Sequence, residues 1–115
     1  MIHKSETRFL KEVNTTYSVL EDTVVENVHL IQNVVKQLRE EGLQGVKYSV
    51  YKMGKNVFIH TAQSTTEEAN KRFDQLTAFK KSRRELGAKL KDKPITNVVE
   101  EIDSYTALEF QNATT

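Results

Sequence analysis

The chain has 115 residues, 37% hydrophobic and 29% charged, enough for one domain with a core and too few for two. Seventeen Lys and Arg against sixteen Asp and Glu leave a formal charge of +1, so the strongly basic footprint of a nucleic-acid-binding domain is missing. The lack of cysteine excludes disulfides, thiolate metal ligands and cysteine nucleophiles.

No apolar run approaches the roughly 20 residues of a membrane span. The N-terminus, MIHKSETRFLKEVN, lacks the apolar stretch of a signal peptide. No membrane partner and a cytoplasmic location are therefore expected. Residues 1–14, with Ile2, Phe9, Leu10 and Val13 among charges, read as an N-terminal arm. The folded domain is expected over 15–108, and the tail 109–115 has little to bury.

Within the domain, Thr15–Leu20 is β-branched and aromatic, which predicts a strand. Thr23-x-x-Glu26 then has the form of a capping box. Behind it Val24, Val28, Ile31, Val35 and Leu38 recur at helical spacing, widened by Val25 and Val34, and Gly42 stands where a left-handed C-terminal residue belongs. The spacing predicts a helix over 24–41.

Residues 46–62 predict a β-hairpin around Gly54. A two-residue turn, Gly54-Lys55, sets Tyr51 opposite Phe58 and Ser49 opposite His60. That register gathers Val46, Tyr48, Val50, Val57 and Ile59 on the face under the helices, and Lys47, Ser49, Tyr51, Phe58, His60 and Ala62 on the other. Ser64-x-x-Glu67 and Thr65-x-x-Glu68 predict a helix start, with Ala69, Phe73 and Leu76 as the stripe of a helix over 66–75. A further helix is expected over 78–91, closed by Pro94, and a last strand over 97–105.

The order β-α-β-β-α-β is that of a ferredoxin-like α+β fold, a four-stranded antiparallel sheet with helices on one face. The face left bare carries Tyr51, Phe58 and either Leu20 or Val99. A second copy of the chain is the expected cover, so a homodimer follows from the fold.

The hairpin Tyr48-Ser-Val-Tyr51 with Asn56-Val-Phe-Ile-His60, the helix start Thr65-Thr-Glu-Glu-Ala69, the Leu76-Thr-Ala-Phe79 segment and the strand after Pro94 together resemble the antibiotic-biosynthesis-monooxygenase-like proteins of the dimeric α+β barrel superfamily. The resemblance spans about residues 14–105. It implies a homodimer whose two sheets form a barrel, a small-molecule cavity between sheet and helices, and, in some members, cofactor-free oxygenation of phenols or quinols. The haem-degrading branch of that superfamily uses an Asn on the first strand, a Trp, and a His on the second helix. This chain has no Trp, no Asn between Thr16 and Leu20 and no His between 66 and 91, so no cofactor is expected.

His60 is the candidate acid/base group, since imidazole titrates near neutrality. Tyr17, Tyr48 and Tyr51 are candidates for orienting an aromatic substrate, and Arg84 for holding an anion. The other reading of His60 is structural, at the sheet–sheet interface with Ser49 or a backbone group as partner. His29 reads as a boundary residue of the helix, and no histidine pair has the spacing of a metal site. The basic stretch from Lys80 to Lys93 reads as a solvated helix face or an acidic-ligand site. Phosphate loops and nucleophile elbows are absent. Two functions stand side by side: a small-molecule-binding protein of cofactor-free monooxygenase type, and a non-catalytic dimeric module that binds a metabolite or a protein partner.

Overall fold

The computed structural model describes residues 11–105 and 107. Four strands, β1 (Lys11–Ser18), β2 (Val46–Met53), β3 (Val57–Ser64) and β4 (Ile95–Val99), alternate with three helices, α1 (Val24–Glu41), α2 (Glu67–Asp74) and α3 (Thr77–Leu86). The strands lie in the order β2-β3-β1-β4, antiparallel throughout. This is the expected ferredoxin-like α+β arrangement. No helix among the described residues is long and apolar enough to cross a membrane.

α1 covers its expected range. Its C-terminus closes with Gly42 at φ +58°, whose amide reaches Arg39 carbonyl at 3.2 Å while Leu43 reaches Leu38 carbonyl at 3.3 Å, the doubled closure of a Schellman end. Its N-terminus is not the expected capping box: the Thr23 hydroxyl donates to Leu20 carbonyl at 2.7 Å, closing the 3-10 turn Glu21–Thr23 instead. The buried stripe is also turned from the expected one. It runs Asn27, Leu30, Ile31, Val34, and Val25 is 68% exposed.

β1 begins four residues before the expected strand, so residues 11–14 are sheet and not arm. All four pair with β3, and Glu12, Val13 and Asn14 pair with β4 as well. The first ten residues and the tail 109–115 fall outside the described residues.

The hairpin register differs by one step from expectation. Val50 faces His60 and Tyr51 faces Ile59, because the turn has three residues, Gly54-Lys55-Asn56, with Gly54 at φ +65°. Asn56 is held in the turn by the end of β1: its Nδ2 donates to Val19 carbonyl at 2.7 Å, and its carbonyl accepts from Val19 amide at 3.0 Å. One extra turn residue inverts the faces of β3. Phe58 and His60 therefore join Tyr48, Val50, Tyr17 and Thr15 under the helices, while Val57 and Ile59 move outward with Tyr51.

α2 is capped by Thr66, whose Oγ1 accepts from Ala69 amide at 3.0 Å, so neither Ser64 nor Thr65 is the cap. Thr65 serves the loop before β2, where its amide donates to Gly45 carbonyl at 2.8 Å. α3 ends at Leu86 rather than near Lys91, because the chain after it leaves the helix to bond the end of β1. Leu20 amide donates to Lys89 carbonyl at 2.8 Å and Lys91 amide to Ser18 carbonyl at 2.9 Å. The Lys89 ammonium, from the middle of the basic stretch, is buried and lies 3.5 Å from a Glu26 carboxylate oxygen and 3.9 Å from one of Glu85.

The core forms two clusters on the helix side of the sheet. Tyr17, Val19, Ile31 and Phe58 make one, and Val34, Phe73 and Leu76 the other. On the opposite side Tyr51, Met53 and Ile95 are exposed, beside half-buried Val57 and Ile59.

Gly45 gives a direct test of this geometry. It holds φ +79°, and a Cβ there would stand 2.6 Å from Thr65 Oγ1 and 3.2 Å from Ala69 Cβ. Gly45→Ala is expected to lower unfolding free energy by about 1–3 kcal/mol in urea titrations, from backbone strain plus the clash. The same change at Gly87, which has open space and ordinary φ, is expected to be neutral or slightly stabilising.

Candidate functional site

Three polar rings stand at the centre of the inward face of the sheet. Tyr17 on β1, His60 on β3 and Tyr48 on β2 stand side by side across three strands, because β1–β3 and β2–β3 registers bring alternating inward positions together. Tyr17 hydroxyl lies 2.6 Å from His60 Nε2, and Tyr48 hydroxyl 2.9 Å from His60 Nδ1. Behind Tyr17, Asn27 Nδ2 of α1 donates to its hydroxyl oxygen at 3.0 Å. Asn27 is fully buried and its carbonyl oxygen Oδ1 has no partner among the described residues.

The sheet end of this cluster opens into a cavity of about 540 Å³ between the sheet and α2 and α3, within the roughly 300–1,000 Å³ of small-molecule sites. Tyr17, Tyr48, Phe73 and Phe79 give it aromatic walls. Phe73 stacks at a tilt on Tyr48 and on Phe79, with ring centroids 5.2 and 4.6 Å apart. The charged groups lining it are Lys11 of β1, Asp74 of α2 and Arg83 of α3, whose guanidinium lies 5.3 Å over the Phe79 ring. The lining is largely apolar and aromatic, with a few polar and charged groups.

Burial sets the protonation states. It lowers the His60 pKa to about 4, so the imidazole is neutral at pH 7. It raises those of both tyrosines; for Tyr17 the Asn27 hydrogen bond partly opposes the rise, and for Tyr48 the neighbouring Tyr17 adds to it. Both tyrosines are therefore neutral phenols, and the cluster carries protons without carrying charge.

The structure brings together three of the five residues singled out from the sequence: His60, Tyr17 and Tyr48 all line the cavity. It separates the other two. Tyr51 lies on the opposite face of the sheet, 61% exposed, because alternate residues of β2 point opposite ways. Arg84 is exposed and does not line the cavity, and the neighbouring Arg83 does so instead. Ser49 also points away from His60, being paired with Thr61 on the outer face. Asn14 lies within β1, contrary to the expectation of a first strand without Asn, but its even position faces outward, away from the cavity.

Asn27 was not singled out from the sequence. An Asn within a valine-rich helix reads as surface, although its spacing to Leu30, Ile31 and Val34 places it on their face. No group of three or more His, Asp or Glu able to hold a metal ion occurs among the described residues.

The His60 shift has a testable sign. An unfolded histidine titrates near 6.5, and His60 in the fold near 4. Between these values the unfolded chain binds the extra proton, so stability is full above pH 6.5 and falls as the pH drops toward 4. The loss from this residue is on the order of 3 kcal/mol. Urea midpoints measured from pH 7 to pH 4 are expected to fall less steeply for His60→Gln than for the unaltered chain.

No protein-family model matches the chain, and no curated protein matches its sequence. Its backbone matches solved structures. A conserved protein of Methanosarcina mazei Go1 superposes with a TM-score of 0.71 at 15% identity, over 84% of this chain and 97% of that one. A candidate antibiotic biosynthesis monooxygenase of Caulobacter crescentus CB15 gives 0.70 at 13% identity, over 84% and 93%. One from Nitrosomonas europaea gives 0.70 at 8% identity, over 83% and 92%. The chain has the ferredoxin-like α+β fold of the antibiotic-biosynthesis-monooxygenase-like proteins.

Proposed function

We propose that the chain binds a planar phenolic or quinol-type molecule in the aromatic-walled cavity and oxygenates it without a cofactor. The observation that carries this reading is the neutral Tyr17–His60–Tyr48 cluster opening into that cavity. A phenolic ring system with an activated methylene group can supply all four electrons that dioxygen requires. The methylene becomes a carbonyl, one oxygen atom stays in the product, and the other leaves as water with the two hydrogens. The protein's part is to hold the flat ring, exclude bulk water and let the phenolic hydroxyl ionise, since the anion is the better reductant. His60 is the acid/base group of the cluster, acting through the Tyr48 hydroxyl, which donates to the ionised substrate oxygen. Arg83 and Lys11 favour an anionic substituent.

The outer face of the sheet supports a homodimer as the working form. Tyr51 and Met53 of β2 and Ile95 of β4 are exposed there, flanking Val57 and Ile59. A second sheet laid on this face removes them from water.

Dioxygen uptake with anthrone- and naphthoquinol-type phenols tests the chemistry. His60→Ala is expected to lower kcat/KM by about 10²–10⁴-fold. Arg83→Ala should raise KM for a carboxylated substrate, whereas Arg84→Ala should not. Saturable binding of such phenols without oxygen uptake would favour the non-catalytic module instead. For the dimer, Ile59→Lys should halve the mass seen in sedimentation while leaving the far-ultraviolet circular dichroism unchanged; a wild-type chain that sediments as a monomer sinks the assembly.

A further inference from the structure

The hydrogen bonds from Asn27 to Tyr48 have a direction, and it is set at the buried end. Asn27 Nδ2 donates to the Tyr17 oxygen. Tyr17 is 4% exposed, and its only other polar neighbour among the described residues is His60 Nε2. If Nε2 carried a hydrogen, the Tyr17 oxygen would accept twice and its own hydrogen, on a residue that borders the cavity but is 4% exposed where Tyr48 is half-buried, would go unpaired at a cost of about 1–3 kcal/mol. The Tyr17 hydroxyl therefore donates to Nε2.

With Nε2 accepting, the neutral ring carries its hydrogen on Nδ1 and donates it to the Tyr48 oxygen. The Tyr48 hydrogen then has no acceptor among the described residues, and Tyr48 lines the cavity. Turning the Asn27 amide over would reverse every bond. It would also leave a buried NH₂ with two unanswered hydrogens in place of one unanswered hydrogen and one unanswered carbonyl oxygen, Oδ1. Buried donors are left unpaired less often than buried acceptors.

We infer that Asn27 is a positioning residue which fixes the polarity of the Asn27–Tyr17–His60–Tyr48 chain, so that Tyr48 presents a hydrogen-bond donor to the cavity and the site takes its ligand by an acceptor oxygen, a phenolate or quinone carbonyl. This rests on the phenolic reading of the cavity for the ligand, but not for the polarity. Phenols bound here are held as anions, with Tyr48 completing a neutral donor chain of four residues.

The test uses the full chain with ¹⁵N-labelled histidine. The His60 ring signals are identified by their disappearance in His60→Gln. The expected tautomer of the ligand-free protein is Nδ1–H, opposite to the Nε2–H form that free histidine favours in water. Asn27→Asp places a carboxylate against the Tyr17 hydroxyl, which should draw its hydrogen back and convert His60 to Nε2–H. Should that variant not fold, Asn27→Leu, which removes the donor, should give a mixture of both forms.

4-Nitrophenol, whose anion absorbs visible light, then probes the cavity. The unaltered protein should favour the bound anion by about tenfold over water, the weight of one hydrogen bond to a charged acceptor. Tyr48→Phe and Asn27→Asp should lose that preference. An Nε2–H tautomer in the unaltered protein overturns the inference whether or not the probe binds, as does a bound probe that stays neutral. An Nδ1–H tautomer with no binding of the phenol upholds the polarity and counts against the phenolic reading of the cavity.

Discussion

A buried hydroxyl, imidazole and amide must each find a partner inside the protein, and that demand organises the centre of this molecule. The chain from Asn27 through Tyr17 and His60 to Tyr48 crosses α1, β1, β3 and β2. Each link left open would cost about 1–3 kcal/mol. The rotation of α1, the pairing of β1 with β3 and the hairpin register are therefore coupled through one set of hydrogen bonds. A helix turned by one residue would withdraw Asn27 from Tyr17. A hairpin shifted by one residue would carry His60 to the far side of the sheet.

The polar line also divides the core. Tyr17, Val19, Ile31 and Phe58 pack at one end, and Val34, Phe73 and Leu76 at the other. Tyr17 and Tyr48 belong to both worlds, with rings that pack against Phe58 and Phe73 and hydroxyls that meet His60. α1 lies over the first part of the sheet, and the shorter α2 and α3 leave the cavity beside it.

The fold was largely legible because its signals are local. The apolar period of α1, the left-handed Gly42 and the turn at Gly54 need only neighbours in the chain. The faces of β3 were not legible, since they depend on whether Asn56 belongs to the turn. That is decided by the backbone of Val19, far away in sequence. The end of α3 was missed for a similar reason: Lys89 and Lys91 are taken up by Ser18 and Leu20 at the end of β1. His60, Tyr17 and Tyr48 were recognisable by residue type, whereas their meeting was not. Asn27 was missed altogether, because its value lies in a hydroxyl ten positions earlier in the chain and on a different element.

The sequence by itself determined the class of fold, the order of its elements and the chemistry available to it. Periodicity and turn residues act within a few positions, and residue type is independent of place. Only the tertiary structure decided which face of the sheet His60 occupies, that Arg83 rather than Arg84 reaches the cavity, and that Asn27 stands at the buried end of the hydrogen-bond chain. Those outcomes follow from a period of two along strands and 3.6 along helices, in which one residue of register exchanges inside for outside. Such a register is set by contacts between segments that the chain brings together only on folding.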